Sequence, residues 1–180
     1  MVEDRIGYRY AKSIYALAQE KGVLEGVKED MALVADVCKS SRDFYTMLQS
    51  PIVTSFKKEA VISRIFDAQL KSEITGNFMK LLVRKGREMY LPQAAESFIQ
   101  LFDSRHDIQR GALISAEPLP AAVVSEIVST MAAKTGKRLD IQTKTDPTLI
   151  GGFVLKLGNR IYDGSVSYAL RRLKRELAKR

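Results

Sequence analysis

A single cysteine, Cys38, and a single histidine, His106, occur among the 180 residues. One thiol forms no internal disulfide and makes no thiolate metal site. A zinc site needs about three or four nitrogen, sulfur or oxygen ligands at recognisable spacing, and the chain offers no such set. Cys38 falls on an apolar helical face and reads as a small core residue. His106 lies among charged neighbours in SRHDIQR, the setting of a solvated connector. Long apolar runs are missing as well: none approaches the roughly 18 to 20 residues of a membrane-spanning helix. The N-terminus, MVEDRIGYRYAK, carries Glu3 and Asp4 and no apolar core behind its charges, unlike a secretory signal or an acid-poor transit peptide. These absences predict a soluble, cytoplasmic chain.

Catalytic motifs are missing too. The stretch DPTLIGGFVLKLGNRIYDGSV, Asp146 to Val166, is dense in glycine and invites comparison with phosphate-binding loops. A P-loop needs G-x-x-x-x-G-K-[ST], whose lysine reaches the phosphates and whose hydroxyl holds magnesium. Gly152 and Gly158 stand too far apart for it, and Asn159 occupies the lysine position. The dinucleotide motif G-x-G-x-x-G is absent. KTGK, Lys134 to Lys137, lacks the first glycine and the terminal hydroxyl, and reads as a helix stop. No G-x-S-x-G elbow occurs, and a serine triad would have to recruit His106 from its polar connector. The carboxylates Asp146 and Asp163 flank predicted strands, where aspartate commonly ties down a turn. The sequence therefore points to no catalytic residue, no cofactor and no metal site.

What the chain does have is apolar periodicity and an uneven charge. Its net charge is +8. Residues 1–105 carry 16 Lys and Arg against 14 Asp and Glu, whereas residues 106–180 carry 13 against 7. Most of that excess lies in the closing RRLKRELAKR, and a basic end fits an acidic partner, nucleic acid or an anionic membrane surface.

The first hundred residues read as six short helices. Ile6, Tyr10, Ile14 and Leu17 recur at helical spacing, as do Val27, Met31, Val34 and Cys38. Ser40 or Ser41 caps a third helix, and Thr54 or Ser55 a fourth with Val61, Ile62, Ile65 and Phe66 inward. Ser72 caps a fifth, in which Ile74, Phe78, Leu81 and Leu82 share a stripe and Gly86 ends the helix. Pro92 sits near the start of a sixth.

The pattern changes near residue 106. A strand over Ala112–Ala116 is followed by a helix with Val123, Ile127 and Met131 in register. RLDIQTKT alternates as a half-buried strand. Two further strands turn at Gly158-Asn159, a tight hairpin signal. Ser165 then caps a last helix with Val166, Leu170, Leu173 and Leu177 in one stripe. The predicted class is α+β: an N-terminal six-helix bundle, residues 1–105, then a small β-α-β-β-α domain, residues 106–180.

Several segments together resemble the delta subunit family of F-type ATP synthases, which in mitochondria is the oligomycin-sensitivity-conferring protein. RYAKSIYALAQEKG (Arg9 to Gly22) is similar to the family's first helix and LQSPIV (Leu48 to Val53) to its loop after the third. NFMKLLVRKGREMYLP (Asn77 to Pro92) resembles the fifth helix with the turn into the sixth, and ISAEPLP (Ile114 to Pro120) the entry to the second domain. The most specific segment is Asp146 to Val166 with Leu170, Leu173 and Leu177 after it. Glu88 departs from the pattern, standing where an apolar residue is expected.

The resemblance implies a non-catalytic peripheral-stalk, or stator, subunit that supports proton-driven ATP synthesis without a cofactor. It implies that the helical bundle takes the amphipathic N-terminal helix of an alpha subunit between the first and fifth helices. By position Tyr10, Ala11, Ile14, Phe78, Leu81 and Leu82 would line that groove. It implies further that the second domain holds the C-terminal ends of the b subunits, met here by Arg171, Arg172, Lys174 and Arg175. The alpha and beta subunits of the catalytic head and the b subunits would be the partners, with no nucleic acid. The chain would lie on the cytoplasmic side of a bacterial cell membrane, peripheral and attached only through the complex. The rival reading is a basic nucleic-acid-binding protein, which predicts bases aimed at phosphates and steeply salt-dependent binding. The near-neutral first domain and the absence of a recognition motif speak against it.

Overall fold

A computed structural model describes residues 2–177, helices and a small four-stranded sheet in the expected α+β class. The chain divides into two compact units, residues 1–102 and 103–180.

The first unit holds α1 (Val2–Glu20), α2 (Leu24–Ser40), α3 (Arg42–Gln49), α4 (Ser55–Phe66), α5 (Glu73–Arg84), a 3-10 turn (Glu88–Tyr90) and all but the last three residues of α6 (Leu91–Arg105). Local signals set most of the ends. Gly22, at φ +68, and Gly86, at φ +64, take the left-handed conformation that turns the chain out of α1 and α5. At Gly86 the amides of Gly86 and Arg87 return to the carbonyls of Val83 and Leu82. Ser41, rather than Ser40, caps α3 by accepting from the Phe44 amide. Thr54 precedes α4 without a side-chain cap.

The start of α5 has a second, non-local tie. Asp30 on α2 is buried, and its carboxylate accepts from the amides of Lys71 and Ser72 and from the Thr75 hydroxyl, at 2.8, 3.1 and 2.8 Å. The helices meet around Met31, Phe66, Met79, Leu82 and Phe98, all within 2% of complete burial. Two residues of the predicted apolar stripes, Leu17 and Val61, face solvent instead, so those stripes are narrower than periodicity alone indicates.

Glu88 is buried against Lys58 of α4. The ammonium donates to Glu88 Oε1 at 2.5 Å and to the Leu48 carbonyl at 3.0 Å, closing the C-terminal end of α3. An acid at a position expected to be apolar is thus matched by a buried cation.

The second unit holds β1 (Ile108–Ser115), α7 (Ala121–Thr135), β2 (Arg138–Thr145), a 3-10 turn (Pro147–Leu149), β3 (Phe153–Leu157), β4 (Arg160–Asp163) and α8 (Val166–Leu177). The sheet order is β2-β1-β3-β4, with β1 parallel to β2 and antiparallel to β3. Leu113, Leu155 and Leu157 form the core, covered by Ile127 and Met131 of α7.

β1 begins at Ile108 rather than Ala112. Ile108 to Gly111 pair in parallel with Arg138 to Ile141, and Arg110 is anchored by its Nε donating to Asp103 Oδ2 at 2.5 Å. The predicted polar connector near 103–110 is therefore the end of α6, a short turn and the first three residues of β1, whose polar side chains concealed the strand. Gly111 is required mid-strand because an added Cβ would sit 2.5 Å from the Lys156 carbonyl oxygen.

The Lys58–Glu88 pair yields a stability prediction. Glu88→Leu alone strands a buried ammonium and costs about 3–5 kcal/mol. The double variant Lys58→Met, Glu88→Leu recovers most of that loss. Urea unfolding of the wild type and the variants reads both outcomes.

Candidate interaction surfaces

The glycine-rich stretch forms turns whose hydrogen bonds are used within the protein. Asp146 accepts from the amide and hydroxyl of Thr148 at 3.0 and 2.6 Å, capping the 3-10 turn. Asp163 accepts from the Ser165 amide at 3.0 Å, and Ser165 Oγ accepts from the Tyr168 amide at 3.1 Å, capping α8. The amides of Gly164 and Val166 donate to the carbonyls of Phe153 and Gly151. Gly152 lies at φ +75, and an added Cβ would meet the Gly164 carbonyl oxygen at 2.3 Å. The amides of Thr148, Gly164, Ser165 and Val166 are thus bound within the protein, and Gly152 serves close backbone approach.

Cys38 is buried, and burial pushes its thiol up to about 12, so it is an inert core residue. His106 is half-buried on the connector. No group of three or more potential metal ligands occurs among the described residues.

The surface between α1 and α5 is a groove of about 340 Å³, lined by Tyr10, Phe78, Leu81, Leu82, Lys85 and Arg87. Tyr10 stands edge-on to Phe78, with ring centroids 6.4 Å apart. The Arg87 guanidinium donates to Tyr10 Oη at 2.7 Å, tying the turn after α5 back to α1. Of the six residues named from sequence, Tyr10, Phe78, Leu81 and Leu82 line the groove. Leu81 is its most exposed apolar member, at 53%. Leu82 is at its buried base, while Ala11 and Ile14 are fully inside the core, at 0% and 2% exposure. They shape the wall from behind, because their positions on α1 face the neighbouring helices.

Lys85 and Arg87 were not among the residues named from sequence. In the sequence they read, with Arg84, as bases suited to the negative C-terminal end of the fifth helix, not as part of a groove.

In the second unit α8 is exposed on both faces. Arg171, Lys174 and Arg175 are in solvent, as is Arg172. So is the stripe of Val166, Leu170, Leu173 and Leu177. Sequence reasoning assigned the contact to the bases and read the leucines as one apolar stripe, and the structure adds that this stripe is exposed beside them.

A larger apolar groove of about 660 Å³ also went unseen in the sequence. It lies between α7 and the hairpin, lined by Val123, Ile127, Met131, Phe153, Leu155 and Tyr162 among others. Strand alternation puts Phe153 and Leu155 on one face, but only the tertiary arrangement leaves β4 without a covering helix. Ile52 and Phe56, in and after the α3–α4 loop, also project into solvent.

The family model described as "ATP synthase delta (OSCP) subunit" matches residues 6–177. The chain belongs to that family.

Among its relatives, "ATP synthase subunit delta" of Flavobacterium johnsoniae is 33% identical, with 99% of each chain covered. "ATP synthase subunit delta" of a Geobacillus species is 35% identical, covering 98% of this chain and 99% of the relative. A solved structure, the mitochondrial ATP synthase hexamer of Toxoplasma gondii by cryo-EM, contains a similar chain. It superposes with a TM-score of 0.66 at 26% identity, covering 96% of this chain and 97% of that one. No helix among the described residues of this delta-family chain is long and apolar enough to cross a membrane.

The turn aspartates yield a pH prediction. Hydrogen bonds from Thr148 and Ser165 hold Asp146 and Asp163 below the ordinary value of 3.8. The stabilisation this gives is fully present above the unfolded value and is lost as pH falls through the lower folded values. Acid titration followed by amide NMR should show the turns flanking β3 and β4 loosening below pH 3.8. Asp146→Asn and Asp163→Asn, which keep an acceptor, should flatten that dependence.

Proposed function

We propose that this peripheral-stalk subunit of F-type ATP synthase works as a non-catalytic stator, joining the catalytic head to the stalk through two separate surfaces. Residues 1–105, read as a six-helix bundle, receive the amphipathic N-terminal helix of an alpha subunit in the α1–α5 groove. Tyr10, Phe78, Leu81 and Leu82 make the contact, and Ala11 and Ile14 support it from the core. Residues 106–180 hold the C-terminal ends of the b subunits on α8. There the leucine stripe is the contact, and Arg171, Arg172, Lys174 and Arg175 guide acidic residues toward it. Membrane association is peripheral and indirect, on the cytoplasmic side of a bacterial cell membrane, with the alpha and beta subunits of the head nearby.

The observation that carries this reading is the placement of exposed apolar side chains in a delta-family chain. Leu81 edges the groove of the first unit, and Leu170, Leu173 and Leu177 form a solvent-facing stripe on the second. Apolar side chains at such positions gain roughly 1.5–3 kcal/mol each when a partner covers them fully. A nucleic-acid interface would not reward that leucine stripe, since phosphate contacts need only the cations.

The test has one arm for each surface. Calorimetry of the full chain against a peptide of the alpha subunit's N-terminal helix should show binding. Leu81→Asp should weaken it by roughly a hundredfold or more, with circular dichroism still helical. Pull-down from membranes should recover alpha and b subunits with the wild type. Leu173→Asp should lose the b subunits and keep alpha. Unfolding of the Leu81→Asp variant would place that residue in the core and remove the groove reading.

A further inference from the structure

The apolar groove between α1 and α5 ends in positive charge that no acid pairs with among the described residues. Lys85 and Arg87 line it at the C-terminal end of α5, and both are exposed. The nearby acids are committed elsewhere: Glu59 pairs with Arg84 at 3.0 Å, and Glu88 is buried against Lys58. Lys85 has no ion-pair partner among the described residues. Arg87 commits one nitrogen, Nη1, to Tyr10 Oη, and a guanidinium has several further N–H donors.

A helix seated on Phe78 and Leu81 would strip water from these two cations. That costs free energy unless the incoming surface returns a charge or strong acceptors. An amide or hydroxyl returns little, whereas a carboxylate returns charge-assisted hydrogen bonds and can engage the guanidinium through both oxygens. Arg87 also pins the Tyr10 ring beside Phe78, so the groove wall is set before the ligand arrives.

We propose that Lys85 and Arg87 form a carboxylate-reading subsite at the end of the groove. It selects an amphipathic helix that carries Asp or Glu at the edge of its apolar face. This rests on the groove reading above and adds what that reading lacks, a rule for which apolar helices are accepted and in which direction they lie. Apolar contacts alone would tolerate a reversed helix, whereas a carboxylate at one end fixes its polarity.

The probe is a synthetic peptide of the alpha subunit's N-terminal helix, titrated into the full-length chain. A second peptide has every Asp and Glu replaced by Asn and Gln. Binding of the acidic peptide should weaken with added salt. Arg87→Gln should raise its Kd on the order of tenfold and Lys85→Gln roughly fivefold, within the range of charge pairs at interfaces. Arg87→Lys should keep most of the salt dependence. The amide peptide should bind the wild type more weakly by a similar factor and be indifferent to Arg87→Gln.

Tyr10→Phe separates pinning from charge: it removes the hydrogen bond, and the salt dependence should survive. If Tyr10→Phe reproduces the whole effect of Arg87→Gln, salt dependence included, Arg87 only positions the ring and the proposal is overturned. Equal affinity for the two peptides overturns it as well. If Leu81→Asp abolishes binding while Arg87→Gln and Lys85→Gln leave it unchanged, the groove stands and the carboxylate subsite falls. If none of these changes affects binding, the groove reading fails with it.

Discussion

The carboxylate of Asp30, buried on α2, accepts hydrogen bonds from two backbone amides and a hydroxyl at the start of α5. A buried donor left without an acceptor costs about 1–3 kcal/mol, so other placements of this helix end are expensive. The opposite end of α5 is fixed by the left-handed Gly86, after which Arg87 reaches back to Tyr10. The groove between α1 and α5 thus rests on polar ties at both ends of one helix.

The candidate surfaces of the two units differ in form. The first presents a concave surface whose side chains are already held, as the Tyr10–Phe78–Arg87 arrangement shows. Pre-set walls reduce the ordering cost of binding. The second presents a convex one, a helix whose stripe of Val166, Leu170, Leu173 and Leu177 is exposed. Its first turn is fixed by Asp163, Ser165 and the Val166 amide, and Leu170 lies beside Leu149 and Ile150 of the preceding 3-10 turn.

Features whose cause is local were legible in the sequence. Ser72 at the start of α5, Gly86 and Gly136 at helix ends, and Gly158-Asn159 between β3 and β4 each act within a few residues. Features whose cause is distant were not. Nothing near Asp30 announces a partner forty residues on, and nothing near Glu88 announces Lys58. The strand residues Gln109 and Arg110 look like linker until β2 is beside them. The candidate groove was half legible for the same reason. Periodicity puts Ile14 and Tyr10 on one stripe, but which of them the neighbouring helices cover is decided in three dimensions.

The sheet order β2-β1-β3-β4 leaves two outer strands with unpaired backbone on one side. Such edges template the addition of further strands from other copies. Here β2 carries Arg138, Asp140 and Lys144 along its length, and β4 is only four residues long, bounded by Arg160 and Asp163. Charge and brevity are two of the ways proteins blunt such edges. A chain with exposed leucines on α8 and an apolar groove beside α7 already carries surfaces prone to association. Edges that discourage self-addition spare it a further route to polymerising.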